Sequence, residues 1–128
     1  MAVVARGQAQ SATTADWAQM HRALAALVEL FTWQGQIFKA SLFANLQAMY
    51  YEGDEADYAA ALDASRQALA LQIISGESKT LYIPYKNVGE DLIRLGRIQE
   101  GLDSLRHAHQ IAGDPGNSVD GIILGKIV

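Results

Sequence analysis

The chain has 128 residues, of which 50% are hydrophobic, and it carries a formal net charge of −4 at pH 7. This length suits one domain, and this apolar content can fill a core, which excludes wholesale disorder. The lysines and arginines are scattered singly, so we expect no nucleic-acid partner, which would need a basic stripe. The absence of cysteine excludes a disulfide scaffold and thiolate-ligated zinc.

The apolar segments are too short to cross a membrane. The longest, residues 24–31, is interrupted by Glu29, whereas a spanning helix needs about 20 apolar residues. Arg6 follows only a few apolar residues, so the N-terminus lacks the hydrophobic region of a signal peptide. We therefore expect a cytoplasmic protein without a membrane partner.

The first third of the chain predicts two helices. Residues 1–12 are small and polar without a period, which indicates a flexible N-terminus. A leading helix follows over residues 13–35, because apolar side chains recur there at helical spacing until Gly35. A second helix is predicted from about Gln36 to Glu52.

The middle of the chain predicts two more helices. A polar turn precedes a third helix, which runs from about Asp57 to Ile74. A fourth helix lies within residues 78–95. Pro84 is tolerated only in a first turn, so this helix either starts near Ile83 or starts at Lys79 and kinks.

The last part predicts a fifth helix from Ile98 that stops at Gly113. Residues 117–128 form an apolar C-terminal segment and a possible capping helix. The sequence therefore predicts an all-α fold of five to six helices.

A pattern of aromatic, aliphatic and small residues occurs twice at an interval of 42 residues. Its first copy consists of Phe43, Leu46, Tyr50, Ala61 and Ala68. Its second copy consists of Tyr85, Val88, Gly89, Leu92, Gly101, Leu105 and Ala108. Small side chains at such positions let neighbouring helices approach closely, so we expect close contacts at Ala61, Ala68, Gly89, Gly101 and Ala108.

This pattern resembles the tetratricopeptide repeat (TPR) family, and its period is similar to the long-period branch found in kinesin light chain. The resemblance implies a short right-handed solenoid of antiparallel helix pairs. Residues 36–77 and 78–116 would form two TPR-like repeats, and the leading helix would be part of a preceding, incomplete repeat.

In this family the first helix of each pair lines a concave groove that binds a peptide or a partner helix. By resemblance, the groove residues here are Asn45, Tyr51, Lys86, Asn87, Glu90 and Arg94. Asn45 and Asn87 occupy the same repeat position. Their carboxamides can contact a peptide backbone, tie adjacent helices together or face water. The resemblance thus implies a non-enzymatic interaction scaffold with a protein or peptide partner.

Two repeats leave apolar ends uncovered, because solenoids generally need three repeats and polar caps. The chain is then either a segment of a longer array or a homo-oligomer. For self-association the predicted contact residues are Trp17, Leu27, Phe31, Ile123 and Ile127. The chain as an oligomerisation element is therefore an alternative function, and a sensor segment of a larger enzyme or transcription regulator is another.

No arrangement of residues indicates chemistry. His107 and His109 lie two apart and face different sides of a helix, so we expect no metal. The acidic residues of 52–57 lack the spacing of a calcium loop and indicate a solvated turn. No nucleophile elbow or phosphate loop occurs, so we expect neither enzymatic activity nor a cofactor.

Overall fold

The computed structural model describes residues 14–53 and 55–113. Five helices follow one another there: α1 (Thr14–Trp33), α2 (Ile37–Gly53), α3 (Tyr58–Ser75), α4 (Tyr82–Arg94) and α5 (Ile98–Ala112). No strand occurs in these ranges, which confirms the all-α prediction. The predicted flexible N-terminus and the apolar C-terminal segment with its possible sixth helix lie outside the described residues.

The start of α4 decides between the two alternatives for the fourth helix. It begins at Tyr82, with Leu81 as the preceding cap residue. Pro84 is therefore the third helical residue, where the missing N–H leaves no intrahelical hydrogen bond unmade. The helix starts close to Ile83 and does not extend back to Lys79.

Local capping sets both ends of α3. At its N-terminus, Asp57 Oδ1 accepts a hydrogen bond from the Ala60 N–H at 3.1 Å. At its C-terminus, Gly76 adopts a left-handed conformation with φ 80°, and its N–H donates to the Ile73 carbonyl at 3.2 Å. The two turns thereby orient α3 between its neighbours.

The helices pack mainly in chain order. The closest associations are between α2 and α3 and between α4 and α5, and further contacts join α1 to α2 and α3 to α4. In the described ranges the core consists of three small clusters: Val28, Ala40, Ala44 and Ala68; Leu62, Val88 and Leu92; Leu105 and Ala108.

The small residues of the repeated pattern lie where helices meet, as predicted. Ala61, Ala68, Gly89, Gly101 and Ala108 are all buried. A Cβ added to Gly101 would lie 2.6 Å from Ile93 Cγ1 and 2.8 Å from the Gly89 carbonyl oxygen. The backbones of α4 and α5 therefore approach so closely that no side chain fits between them.

Candidate functional site

Two polar contacts join α2 to α4 across the surface that these helices share. Asn87 Nδ2 donates a hydrogen bond to Asn45 Oδ1 at 2.8 Å. Arg94 Nη1 lies 3.8 Å from Glu52 Oε2. Each pair is separated by 42 residues, and the contacts occur in the same order along both helices. Helices α2 and α4 therefore run side by side in the same direction, and we call their common exposed face the α2–α4 surface.

The asparagine pair has hydrogen-bonding capacity left over. Asn45 Nδ2 contacts only Met49 Sδ, at 4.0 Å, which is a weak interaction. Within the described residues, Asn87 Oδ1 accepts no hydrogen bond. One donor and one acceptor are therefore available next to each other, and these are the groups that a peptide bond complements.

Apolar side chains surround this pair. Leu42 and Met49 lie one turn to either side of Asn45 on α2 and are 51% and 56% exposed. A cavity of about 90 Å³ opens beside them. It is lined by Ser41, Leu42, Asn45, Ala68, Gln72, Thr80, Ile83 and Pro84. This volume is well below the roughly 300 Å³ of small-molecule sites, and it matches one small aliphatic side chain.

The cations of the surface are paired with carboxylates. Lys86 Nζ lies 3.9 Å from Glu90 Oε2, one turn away on α4. Arg94 contacts Glu52 and also lies over the ring of Tyr58, with 5.5 Å from the guanidinium carbon to the ring centroid. The α2–α4 surface is thus locally close to neutral and presents no unpaired positive charge among these residues.

The structure brings together most of the residues predicted for the groove. Asn45, Lys86, Asn87, Glu90 and Arg94 all belong to the α2–α4 surface. On α2, Ser41 and Ala48 are buried, and the exposed residues beside Asn45 are Leu42 and Met49.

Tyr51 does not join this group. Its ring is stacked on His21 of α1, with centroids 3.7 Å apart and planes 4° from parallel. Six residues separate it from Asn45, which at 100° per residue places the two side chains about 120° apart around α2. Tyr51, which the resemblance placed among the groove residues, therefore lies on the side of α2 that faces α1.

The His21–Tyr51 stack is part of a cluster that sequence reasoning did not anticipate. His21 is buried, and its Nε2 lies 2.5 Å from Glu55 Oε2 in the turn after α2. Gln47 Nε2 donates to the His21 carbonyl at 3.2 Å. Burial, followed by the nearby carboxylates of Glu55 and Asp57, raises the pKa of Tyr51. The predicted solvated acidic turn instead supplies Glu55 to hold α1 against α2.

A buried carboxyl group lies below Arg94. Asp91 on α4 is fully buried, and Ser65 Oγ on α3 donates to its Oδ2 at 3.0 Å. Arg94 Nη1 is 3.7 Å from its Oδ1. Burial and the neighbouring Glu52 carboxylate raise the pKa of Asp91 to about 8. At neutral pH the Asp91 side chain therefore holds a proton. It ties α4 to α3 beside the carboxylate of Glu52 on α2.

The predicted self-association residues are largely engaged within the chain. Trp17 contacts Tyr50, with ring centroids 6.3 Å apart. Phe31 is stacked on Phe43 at 5.4 Å. Leu27 is half-buried. Trp17 and Phe31 thus fill the α1–α2 interface and do not form a free apolar end, while Ile123 and Ile127 lie outside the described residues.

Neither a metal centre nor a membrane span is found in the described ranges. Residues 14–53 and 55–113 contain no group of three or more histidine, cysteine, aspartate or glutamate side chains that could hold a metal ion. None of the five helices is both long and apolar enough to cross a bilayer.

Within these ranges the chain is thus an all-α protein whose exposed α2–α4 surface carries one asparagine pair and one small cavity. No family model matches this chain, and no curated protein or solved structure shows significant similarity to it.

Proposed function

We propose that this chain is a non-enzymatic interaction scaffold whose α2–α4 surface binds an extended peptide segment of a protein partner. The observation that carries the proposal is the Asn45–Asn87 pair, which leaves one donor and one acceptor available beside a small cavity. A peptide group would accept from Asn45 Nδ2 and donate to Asn87 Oδ1. Its neighbouring side chain would enter the cavity.

The repeat register supports a TPR-like arrangement in this proposal. Contacts between residues 42 apart, at Asn45–Asn87 and at Glu52–Arg94, are those that stacked helix pairs with this period would make. Residues 36–77 and 78–116 would then be two repeats of a short right-handed solenoid. Helices α2 and α4 would line its concave side, and α1 would belong to the incomplete preceding repeat.

The chemistry of the surface limits the ligand. Lys86 and Arg94 already have carboxylate partners, so a free C-terminal carboxylate would have to displace Glu90 or Glu52. A neutral, internal segment with a small aliphatic residue meets no such competition. Backbone recognition combined with one side-chain pocket is a common mode of peptide binding. The lack of cysteine supports a cytoplasmic setting for this interaction.

A displayed random peptide library tests the proposal. Peptides of about eight residues suffice, because eight extended residues span roughly 26 Å and a helix of the length of α2 spans roughly 25 Å. Peptides selected on the wild-type chain are expected to be uncharged and to contain valine, alanine or isoleucine. The Asn45→Ala/Asn87→Ala double variant is expected to bind them at least about tenfold more weakly.

Stability provides the first control. The double variant removes both partners of the hydrogen bond and leaves neither carboxamide unpaired, so helicity and the melting temperature should stay close to wild type. A Gln99→Ala/Gln110→Ala variant removes two exposed carboxamides from α5 and should bind the peptides normally. Undiminished binding by the asparagine double variant would refute the assignment of the α2–α4 surface.

A further inference from the structure

The outer face of α1 carries an exposed apolar seam. It consists of Ala23, Ala26, Leu30 and Trp33, whose intervals of three, four and three residues are those of the a and d positions of a heptad. All four residues are exposed, Leu30 by 46% and Trp33 by 88%. Such a row normally packs against a second helix. Because these four side chains are exposed, this face of α1 has no packing partner in the described chain.

The seam is separate from the contacts that hold α1 in the fold. His21, Leu24 and Val28 are the buried residues of α1, and they occupy the opposite side of the helix. Beside Leu30 and Trp33, the surface continues into a groove of about 610 Å³ to which α3 contributes Leu71. The exposed apolar area is therefore wider than one helix face.

Two opposite charges border the seam on the same edge. Arg22 and Glu29 are exposed, are seven residues apart and thus share one heptad position. Within the described residues neither takes part in an ion pair. When two copies of one helix pack antiparallel, like edges face each other and the order of residues is reversed. Arg22 of each copy then faces Glu29 of the other, so the seam is complementary to itself.

We infer that two copies of this chain form an antiparallel dimer through α1, about a two-fold axis near Ala26. Ala23 and Ala26 would meet their counterparts at the centre, where methyl side chains allow the two backbones to approach closely. Leu30 and Trp33 of each copy would cover the N-terminal half of the other α1. The interface would be isologous, with the Arg22–Glu29 pair formed twice.

The test is a charge exchange in the full chain, followed by analytical ultracentrifugation from about 1 to 100 μM. The wild-type chain should be a dimer. Arg22→Glu and Glu29→Arg each turn two attractive contacts into two repulsive ones, and each should raise the dimer dissociation constant by about tenfold or more. An equimolar mixture of the two variants should recover dimers, because only the mixed dimer restores both pairs.

A matched control reverses a charge outside the seam. Arg106→Glu on α5 alters an exposed arginine whose carboxylate partner, Asp103, is on the same helix. It should leave the dimer unchanged. Circular dichroism of all variants should match wild type, since every substituted side chain is exposed.

Three results would each overturn the inference. The first is single variants that dimerise as well as wild type, and the second is a mixture that dimerises no better than either variant alone. The third is a wild-type monomer over the whole concentration range. A further measurement would apply if the Trp17→Phe variant were a monomer. If its Trp33 were shielded from acrylamide quenching, another segment of the same chain would cover the seam. Since no residue of the seam belongs to the α2–α4 surface, peptide binding can be measured independently of each result.

Discussion

At the scale of single residues, Asp91 is an aspartate that is buried and protonated rather than exposed and charged. Aspartate on an amphipathic helix normally faces water, yet this carboxyl group is fully buried among Ser65, Glu52 and Arg94. Its pKa, raised to about 8 by burial and by Glu52, keeps it neutral and able to donate a hydrogen bond. Asp91 therefore acts as a polar cross-link between helices.

The raised pKa predicts an unusual dependence of stability on pH. The folded chain binds the Asp91 proton up to about pH 8, whereas the unfolded chain releases it near pH 4. The folded state thus holds more protons between these values, and this contribution to stability is complete below pH 4 and is lost as pH rises toward 8.

Asp91→Asn should remove this dependence, because the amide keeps the neutral shape and a donor. Urea unfolding at several pH values checks this prediction. From pH 5 to 7, the unfolding free energy of wild type should fall by roughly 1 kcal/mol per pH unit relative to that of the variant. Asp103→Asn, an exposed carboxylate on α5, is the control. A constant difference between Asp91→Asn and wild type would show that Asp91 is ionised in the folded chain.

At the scale of helices, the α4–α5 pair depends on two glycines. A Cβ at Gly89 would lie 2.8 Å from Leu105 Cγ, and one at Gly101 would lie 2.6 Å from Ile93 Cγ1. Glycine weakens a helix by about 1 kcal/mol relative to alanine, but here the missing side chain permits the contact between backbones. Packing therefore outweighs helix propensity at both positions.

Gly101→Ala should lower the unfolding free energy by about 1–3 kcal/mol, since the added methyl group forces α4 and α5 apart. Gly53→Ala, at the end of α2, has nothing within 4 Å of the added Cβ. It should leave stability unchanged or slightly higher. Chemical denaturation of both variants checks the prediction, and equal effects would mean that propensity rather than packing governs Gly101.

At the scale of the whole molecule, the buried apolar residues of the described ranges form small separate clusters at the contacts between helices. Helix α3 packs against both α2 and α4. Within the described chain, α1 makes extensive contacts with α2 alone and α5 with α4 alone. Helices with fewer extensive contacts open at a lower free energy, so we expect α1 and α5 to open before α2 and α3.

Native-state hydrogen exchange should therefore show the slowest amides in α2 and α3 and faster exchange in α1 and α5. Gly101→Ala should accelerate exchange in α4 and α5 more than in α1, because the two regions share no core cluster. Uniform exchange across all five helices at the global unfolding rate would contradict this description.

The proposed dimer would change this pattern in a measurable way. A partner helix on the α1 seam would give α1 a second neighbour, so its amides would be protected at high concentration and less protected on dilution. The exchange experiment therefore also reports on the dimer.

The sequence by itself determined the helical class, the approximate helix bounds and the positions where small residues bring helices together, because these depend on periodicity, turn residues and side-chain size. It also indicated that Asn45 and Asn87 lie at the 42-residue interval of the repeated pattern. Only the tertiary structure decided that their carboxamides are hydrogen-bonded to each other, that Tyr51 stacks on His21, that Asp91 is buried and that Leu30 and Trp33 belong to an exposed seam. Each of these outcomes depends on the rotation of one helix against another, which local sequence does not specify.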